Sequence, residues 1–278
     1  MPIHELPQRA VRDGPRIAMV TPALESGRFL EATLRSVLDQ GYPKLEYFVQ
    51  DGGSKDETRG ILERYGERLT GWVSEPDEGQ ADAIARGFER VRGDVMAWLN
   101  ADDLLLPGTL HYVAAFFRDH PEADVVYGHR IIIDEDGREI GRWVLPRHSA
   151  GALVWRDYIP QETLFWRRRI WERAGGVDPA FRFAMDWDTL ARFHVEGARF
   201  VRLPRFLAAF RSHRTQKSLT ARRDVGEAEF AIIRDRVGPN AARRLQHRLA
   251  SLRYLVTSFG YAWIHRAGLL RFQERFDP

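Results

Sequence analysis

The chain has 278 residues, 44% hydrophobic and 29% charged, with a formal net charge of +3. This is the balance of a folded globular protein rather than a disordered one, and the length suits one large α/β domain with an appendage or two small domains. There is no cysteine, which excludes disulfides, thiolate nucleophiles and cysteine-based zinc sites.

The opening residues MPIHELPQRA lack the apolar core of a signal peptide, and no apolar run approaches the roughly 18 residues that span a bilayer. The expectation is a cytoplasmic chain, at most peripheral on the inner face of a membrane. The positive charge is concentrated late: from Ala221 to Pro278 there are 11 Arg against 6 Asp and Glu. Such a tail suits an anionic lipid, a phosphate-bearing acceptor or simply a solvated helix face.

In chain order, Arg16–Thr21 is a short apolar run closed by Pro22 and reads as a buried strand. Phe29, Leu30, Leu34, Val37 and Leu38 recur at helical spacing between Gly27 and Gln40. Leu45–Gln50 is a second strand running into Asp51-Gly-Gly-Ser54; Asp56–Tyr65 is a helix, Leu69–Ser74 a strand and Gln80–Val91 a helix. Val95–Asn100 is a fourth strand, followed by a helix over Pro107–His120. Strands alternating with helices predict βαβ units and a mainly parallel sheet.

Past Asp124 the pattern changes. Arg130–Asp134 and Glu139–Trp143 flank a turn at Glu135-Asp-Gly137, predicting a hairpin. Met185–Val195 reads as a helix and Phe206–Phe210 as a short strand-like stretch. In the tail, Leu245, Leu249, Leu252, Val256 and Phe259 follow 4-3-4-3 spacing, which predicts an amphipathic helix.

The polar loops fall at strand carboxyl ends, where open α/β sheets bind ligands. Asp102-Asp103 closes a buried strand; adjacent carboxylates there need solvent, a partner or a metal, and Mg²⁺ or Mn²⁺ suits oxygen ligands on a diphosphate. A plain turn is the alternative. The glycines after Asp51 allow close backbone approach to a ligand, and its carboxylate can accept an N–H from a base, although an ordinary βα turn also fits. In Asp186-Trp187-Asp188 a carboxylate is placed to deprotonate a hydroxyl, or merely to cap the helix. In Arg211-Ser-His213-Arg-Thr-Gln216-Lys217, His213 suits a metal and the Arg and Lys residues suit phosphate; a structural histidine is the other reading.

Taken in order, these elements resemble the family 2 glycosyltransferases. The resemblance runs from Thr21-Pro22 through Asp51-Gly-Gly-Ser-Lys-Asp56, Glu75–Gly87, Asn100-Ala-Asp102-Asp103 and Met185-Asp186-Trp-Asp188 to Arg211-Ser-His213. It implies a GT-A fold: Rossmann-like α/β, a mainly parallel sheet flanked by helices, with a C-terminal helical extension. The implied division is an N-terminal extension over 1–15, a catalytic domain over 16–220 and the extension over 221–278. It implies an inverting enzyme using a nucleotide-diphosphate sugar, UDP by preference, for cell-surface polysaccharide or glycoconjugate synthesis. Thr21, Pro22, Glu25, Asp51, Gln80, Asp82, Asn100, Ala101, Asp102 and Asp103 are implied at nucleotide and donor. Asp102 and His213 are implied at a divalent cation (Mn²⁺ or Mg²⁺), and Asp186 as general base. Asn100 stands where the family's first D-x-D aspartate is usual, and Met185 where a glutamate is usual.

Gln161, Glu162 and Trp187 are expected near a saccharide or lipid-linked acceptor, with Trp155, Tyr158, Phe165 and Trp166 forming either an acceptor floor or core. The tail helix is expected to pack on the core, form a homodimer or touch a membrane. Two other classes share parts of the pattern: a nucleotidyltransferase, which would carry a better phosphate loop than TPALESGRF, and a non-catalytic sugar-binding scaffold. Nucleic-acid binding is not expected, because the basic tail carries no recognisable motif.

Overall fold

A computed structural model describes residues 14–213, 216, 225–237 and 241–269; the N-terminal extension, Lys217 and the Leu270–Pro278 end lie outside these residues. Strand β1 (Ile17–Ala23) is buried at every position, as a central parallel strand covered on both faces requires. Its alternate residues serve opposite cores. Ala18 and Val20 pack with Phe48, Ile84, Phe88, Trp98, Trp166 and Phe193, while Ile17 and Met19 pack with Leu30, Leu34, Val49, Val113 and Phe117.

β1 is flanked in parallel by β2 (Leu45–Asp51) and β4 (Val95–Trp98), and β3 (Gly71–Ser74) extends the parallel half. The register sets Ala23 level with Asp51 and Asp51 level with Ser74. Helices α1 (Leu30–Leu38), α2 (Thr58–Tyr65) and α3 (Gln80–Glu89) make the crossovers. α3 lies very close on the sheet: a Cβ at Gly87 would fall 2.5 Å from Val20 Cγ1.

Beyond β4 the sheet mixes directions. After β5 (Leu104–Leu105) and α4 (Thr109–Asp119) come β6 (Val125–Ile133), its hairpin partner β7 (Glu139–Trp143), α5 (Ala150–Trp155), β8 (Phe165–Arg167), α6 (Arg168–Ala174), α7 (Met185–Val195) and β9 (Phe200–Arg211). The order is β3-β2-β1-β4-β8-β6-β9-β5, with β8 antiparallel to β4 and β6, and β9 parallel to β6. The hairpin expected at Glu135–Gly137 is present. Two differences concern the second half. β9 runs 12 residues rather than the five of Phe206–Phe210, and β5 pairs with its end at Leu104↔Ala209.

The tail forms α8 (Glu227–Val237) and α9 (Ala241–Arg266). Neither is a detached appendage: Ile233 and Tyr254 are buried in the same core as Trp98 and Trp187. No described helix is long and apolar enough to cross a membrane.

Candidate active site

The carboxyl ends of β1 to β4 open on one edge, and their loops are tied to one another. Asp51 is fully buried and accepts from Ser54 N at 3.0 Å, from the Ser54 hydroxyl and from Ser74 Oγ at 2.6 Å. Its negative charge is thus met by donors from its own turn and the neighbouring strand. Glu25 has φ +49°, the one positive value among described non-glycine residues. Two bonds hold it there: its N–H donates to Ser54 Oγ at 2.7 Å, and its Oε1 accepts Lys55 N at 2.9 Å. Strained backbone persists where the surroundings over-determine it.

The other donor-side residues form a linked rim. Gln80 Nε2 donates to Asn100 Oδ1 at 2.8 Å. Asp82 accepts Glu78 N at 3.0 Å and pairs with Arg86 at 2.7 Å. Thr21 and Pro22 are buried in β1, and Thr21 Oγ1 is 2.8 Å from the Tyr47 hydroxyl, so this side chain faces the core.

The Asn100–Asp103 turn is held from behind. Thr33 of α1 directs its hydroxyl at the carbonyls of Ala101 (2.9 Å) and Asp103 (2.8 Å). Arg211, at the end of β9, donates its N–H to Asp103 Oδ1 at 3.0 Å and its Nε to the Asp102 carbonyl at 2.9 Å. Arg211 Nη1 reaches the carbonyls of Asp134 and Glu135 at 3.1 Å each, and the guanidinium sits over Phe29. Arg211 therefore grips protein carbonyls rather than a phosphate, and it joins the β6–β7 turn to the Asp102 loop.

The two adjacent aspartates diverge. Asp103 is turned inward, and burial, reinforced by the neighbouring charge of Asp102, pushes its carboxyl well above the ordinary range. Asp102 remains partly exposed, with Oδ2 2.9 Å from His213 Nε2. His213 is braced by Phe29 at 5.0 Å between ring centroids.

Asp186 opens α7 and is half-buried, with Oδ1 accepting Trp187 N at 2.9 Å. Glu162 is near enough to feel the charge of both Asp186 and Asp102. Burial raises the Glu162 carboxyl; the Arg130 guanidinium opposes the shift, and the charges of Asp186 and Asp102 add to it. Arg130 pairs with Glu162 at 3.3 Å and is sandwiched between Trp143 and Phe210. Asp102, Glu162 and Asp186, separated by up to 84 positions in sequence, thus share one electrostatic neighbourhood.

The acceptor-side expectations land differently. Glu162 and Trp187 are buried, and Trp187 Nε1 donates to the Leu153 carbonyl at 2.6 Å. Gln161 is buried and donates Nε2 to the Trp98 carbonyl at 2.8 Å. Tyr158, Phe165 and Trp166 belong to the core; Trp155 is half-buried, with Arg234 over its ring at 5.0 Å. Asp188 caps nothing: it is buried and paired with Arg192 at 2.7 Å and Arg236 at 2.9 Å.

One supporting residue has no signal in the local sequence. Glu229 of α8 accepts the N–H groups of Arg182 (2.7 Å), Phe183 (2.9 Å) and Ala184 (2.7 Å), the turn that leads into Asp186.

For a divalent cation the protein offers Asp102 and His213, and no described cluster of three or more His, Asp or Glu side chains could hold one by itself. Two donors fit a Mg²⁺ or Mn²⁺ that takes its remaining ligands from substrate phosphates and water.

Comparisons with known proteins bear on the family and the fold. A family model, Glycosyl transferase family 2, matches residues 19–202. A PGL/p-HBAD biosynthesis glycosyltransferase of Mycobacterium bovis is 33% identical over 179 residues, covering 63% of this chain and 68% of that protein. A putative teichuronic acid biosynthesis glycosyltransferase, TuaG, of Bacillus subtilis is 29% identical over 148 residues, covering 52% and 57%. Among solved structures, S. aureus TarS in complex with UDP-GlcNAc superposes with a TM-score of 0.67 at 17% identity, over 89% of this chain and 73% of that one. The mannosyltransferase PcManGT from Pyrobaculum calidifontis, with GDP-Man and Mn²⁺, gives 0.58 at 19% identity, over 93% and 79%. The chain belongs to glycosyl transferase family 2: it is a glycosyltransferase with the GT-A fold.

Proposed function

We propose that this enzyme transfers a sugar from a nucleotide-diphosphate sugar, by preference a UDP-sugar, to a hydroxyl of a saccharide or lipid-linked acceptor, with inversion, in the synthesis of a cell-surface glycan or glycolipid. The observation that carries the proposal is the Asp102–His213 pair at the carboxyl end of β4, 2.9 Å between Oδ2 and Nε2, with the charges of both Asp102 and Asp186 acting on the buried Glu162. The mycobacterial and Bacillus relatives support the glycan or glycolipid product, and the UDP-GlcNAc complex of TarS supports the choice of nucleotide.

The donor would lie across the ends of β1 to β4, near Glu25, Asp51, Gln80 and Asp82. Asp102 and His213 would hold the cation with the diphosphate. When bound, the cation supplies positive charge against the negative charge that builds on the departing diphosphate. Asp186, the partly open carboxylate at the start of α7, would take the acceptor proton as the oxygen attacks the anomeric carbon from the opposite face. A single displacement with one base and no enzyme nucleophile gives inversion. Glu162 remains paired with Arg130 behind this edge and shapes the field instead of meeting substrate.

The test is thermal stability against UDP, GDP, dTDP, CMP and their sugars with Mn²⁺, Mg²⁺ or EDTA. A ligand at about 100 times its Kd adds roughly 2.7 kcal/mol to the folded state. The expected result is a metal-dependent rise with UDP and one UDP-sugar. A rise with GDP alone would change the nucleotide, and no rise with any of them would overturn the reading.

A further inference from the structure

α9 has two faces, and only one is used by the fold. Along the inner face, a Cβ on Gly151 of α5 would stand 2.9 Å from Ala250 Cβ, Arg156 Nε donates to Ser251 Oγ at 3.1 Å, and the Tyr158 and Tyr254 rings lie 4.1 Å apart. Near the helix end, His265 meets Phe206 at 5.9 Å. These contacts fix the rotation of the helix.

The opposite face carries Leu245, Leu249, Leu252, Val256, Phe259 and Trp263, each between 49% and 75% exposed. Exposing six large apolar side chains in one stripe is costly for an isolated protein, and contiguous patches of this kind mark interaction surfaces. Charge identifies the partner. From Ala241 to Leu269 there are five arginines (Arg243, Arg244, Arg248, Arg253 and Arg266) and no Asp or Glu. The 4-3-4-3-4 spacing would also suit a seam between two helices. Arg244 is paired with Asp235 of α8 at 2.6 Å, but α9 itself has no acid to meet the arginines that a second copy would bring against it. An anionic surface meets the same charges favourably.

A cleft of about 600 Å³ continues the surface between α9 and the 146–149 segment, lined by Arg147, Ser149, Gln246, Arg253, Tyr254 and Tyr261. The buried Tyr254 hydroxyl has no hydrogen-bond partner among the described residues. Neither Arg147 nor Arg253 is in an ion pair with a described residue, so both cations remain available to phosphate.

We propose that α9 docks on an anionic phospholipid surface, its apolar stripe entering the headgroup boundary and its arginines on lipid phosphates. Leucines with Phe259 and Trp263 in the stripe, flanked at helical spacing by Arg248, Arg253 and Arg266 and by no acid of α9, are the composition of helices that lie in that plane. The consequence for the enzyme is proximity. α9 packs on α5, and α5 receives the Trp187 indole next to Asp186, so docking brings the edge that holds Asp186 close to acceptors carried in the bilayer.

The experiment is co-sedimentation of the full chain with vesicles of phosphatidylcholine alone or mixed with phosphatidylglycerol. The expected result is binding to the mixed vesicles and little to phosphatidylcholine. The double variant Val256→Asp, Phe259→Asp should remain in the supernatant with an unchanged melting temperature, since both side chains are about three-quarters exposed. Arg248→Glu with Arg253→Glu should lower partitioning about tenfold or more. Wild-type protein that stays in the supernatant, or a Val256→Asp, Phe259→Asp variant that binds as wild type does, would overturn the proposal. So would a dimer in sedimentation equilibrium that the double variant dissolves while the wild type ignores vesicles, because α9 would then be a seam between copies.

Discussion

The carboxylate of Glu229 accepts the backbone N–H of Ala184 at 2.7 Å, two residues before Asp186, and takes the N–H groups of Phe183 and Arg182 as well. The first N–H groups of a helix and its preceding turn have no intrahelical partner, and a carboxylate placed there is favoured by charge and by the helix dipole. Here the carboxylate arrives from a different helix, 42 residues beyond Trp187. Glu229 is a positioning residue for the start of α7.

Glu229→Ala should therefore cost both stability and turnover. Loss of hydrogen bonds to a buried charge is worth about 2 kcal/mol, or roughly 4–8 °C in melting temperature for a chain of this size. kcat should fall while nucleotide affinity holds, because Glu229 bonds the turn before Asp186 and not the donor-side residues. Glu229→Gln keeps one acceptor oxygen and should recover part of the kcat. Equal losses in kcat and nucleotide affinity would show a merely structural role.

Asp186→Asn removes the proposed base and little else, since the amide oxygen can still accept Trp187 N–H. Transfer should fall about 10²–10⁴-fold. The stabilisation given by UDP with Mn²⁺ should be unchanged. Turnover like that of the wild type in this variant would remove Asp186 from the mechanism and direct attention to Glu162.

The alternation of strands and helices through Asp119 was legible because each element carries its own period: Ala18 and Val20 against Ile17 and Met19 in β1, and Leu30, Leu34 and Val37 in α1. The ends of those strands were legible as a site because polar and glycine-rich loops collect there. The rest depends on contacts between distant positions. β5 is two residues long and exists because β9 pairs with it. Thr33 and Glu229 look like ordinary surface residues in their local segments, and Arg211, which its motif offers to phosphate, instead holds the Asp102 loop; all three roles come from partners 70, 45 and 108 residues away. The resemblance assigns the cation to Asp102 and only the donor to Asp103, but that one carboxylate is partly exposed and the other buried is settled by the direction each side chain takes.

That separation gives a further prediction. Asp102→Asn should weaken the Mn²⁺-dependent part of nucleotide binding at least roughly tenfold, while binding in EDTA is unaffected. His213→Ala should act in the same direction, since His213 Nε2 lies against the same Asp102 oxygen. Asp103→Asn should instead leave the metal dependence intact, because that carboxyl faces Arg211 N and Asn100. Isothermal titration with and without Mn²⁺ reads all three. Metal dependence lost in Asp103→Asn and kept in Asp102→Asn would reverse the assignment.

Acid sensitivity should come from two histidines outside the site. Burial lowers His129 from 6.5 to about 3 and His148 to about 4. Both rings are held as acceptors or stacked: His129 Nδ1 accepts Leu145 N at 3.1 Å, and His148 lies flat on Phe200 at 4.8 Å. Because the folded values are depressed, the unfolded chain binds protons below about 6.5 that the folded protein refuses. Stability is therefore complete above that pH and declines as pH falls toward 4 and then 3. Each histidine adds a slope of up to about 1.4 kcal/mol per pH unit. Melting temperatures taken from about pH 7 down to about pH 5 should fall steadily, and His148→Gln should show a shallower decline than the wild type. The same slope in both proteins would mean that His148 is already charged in the folded state.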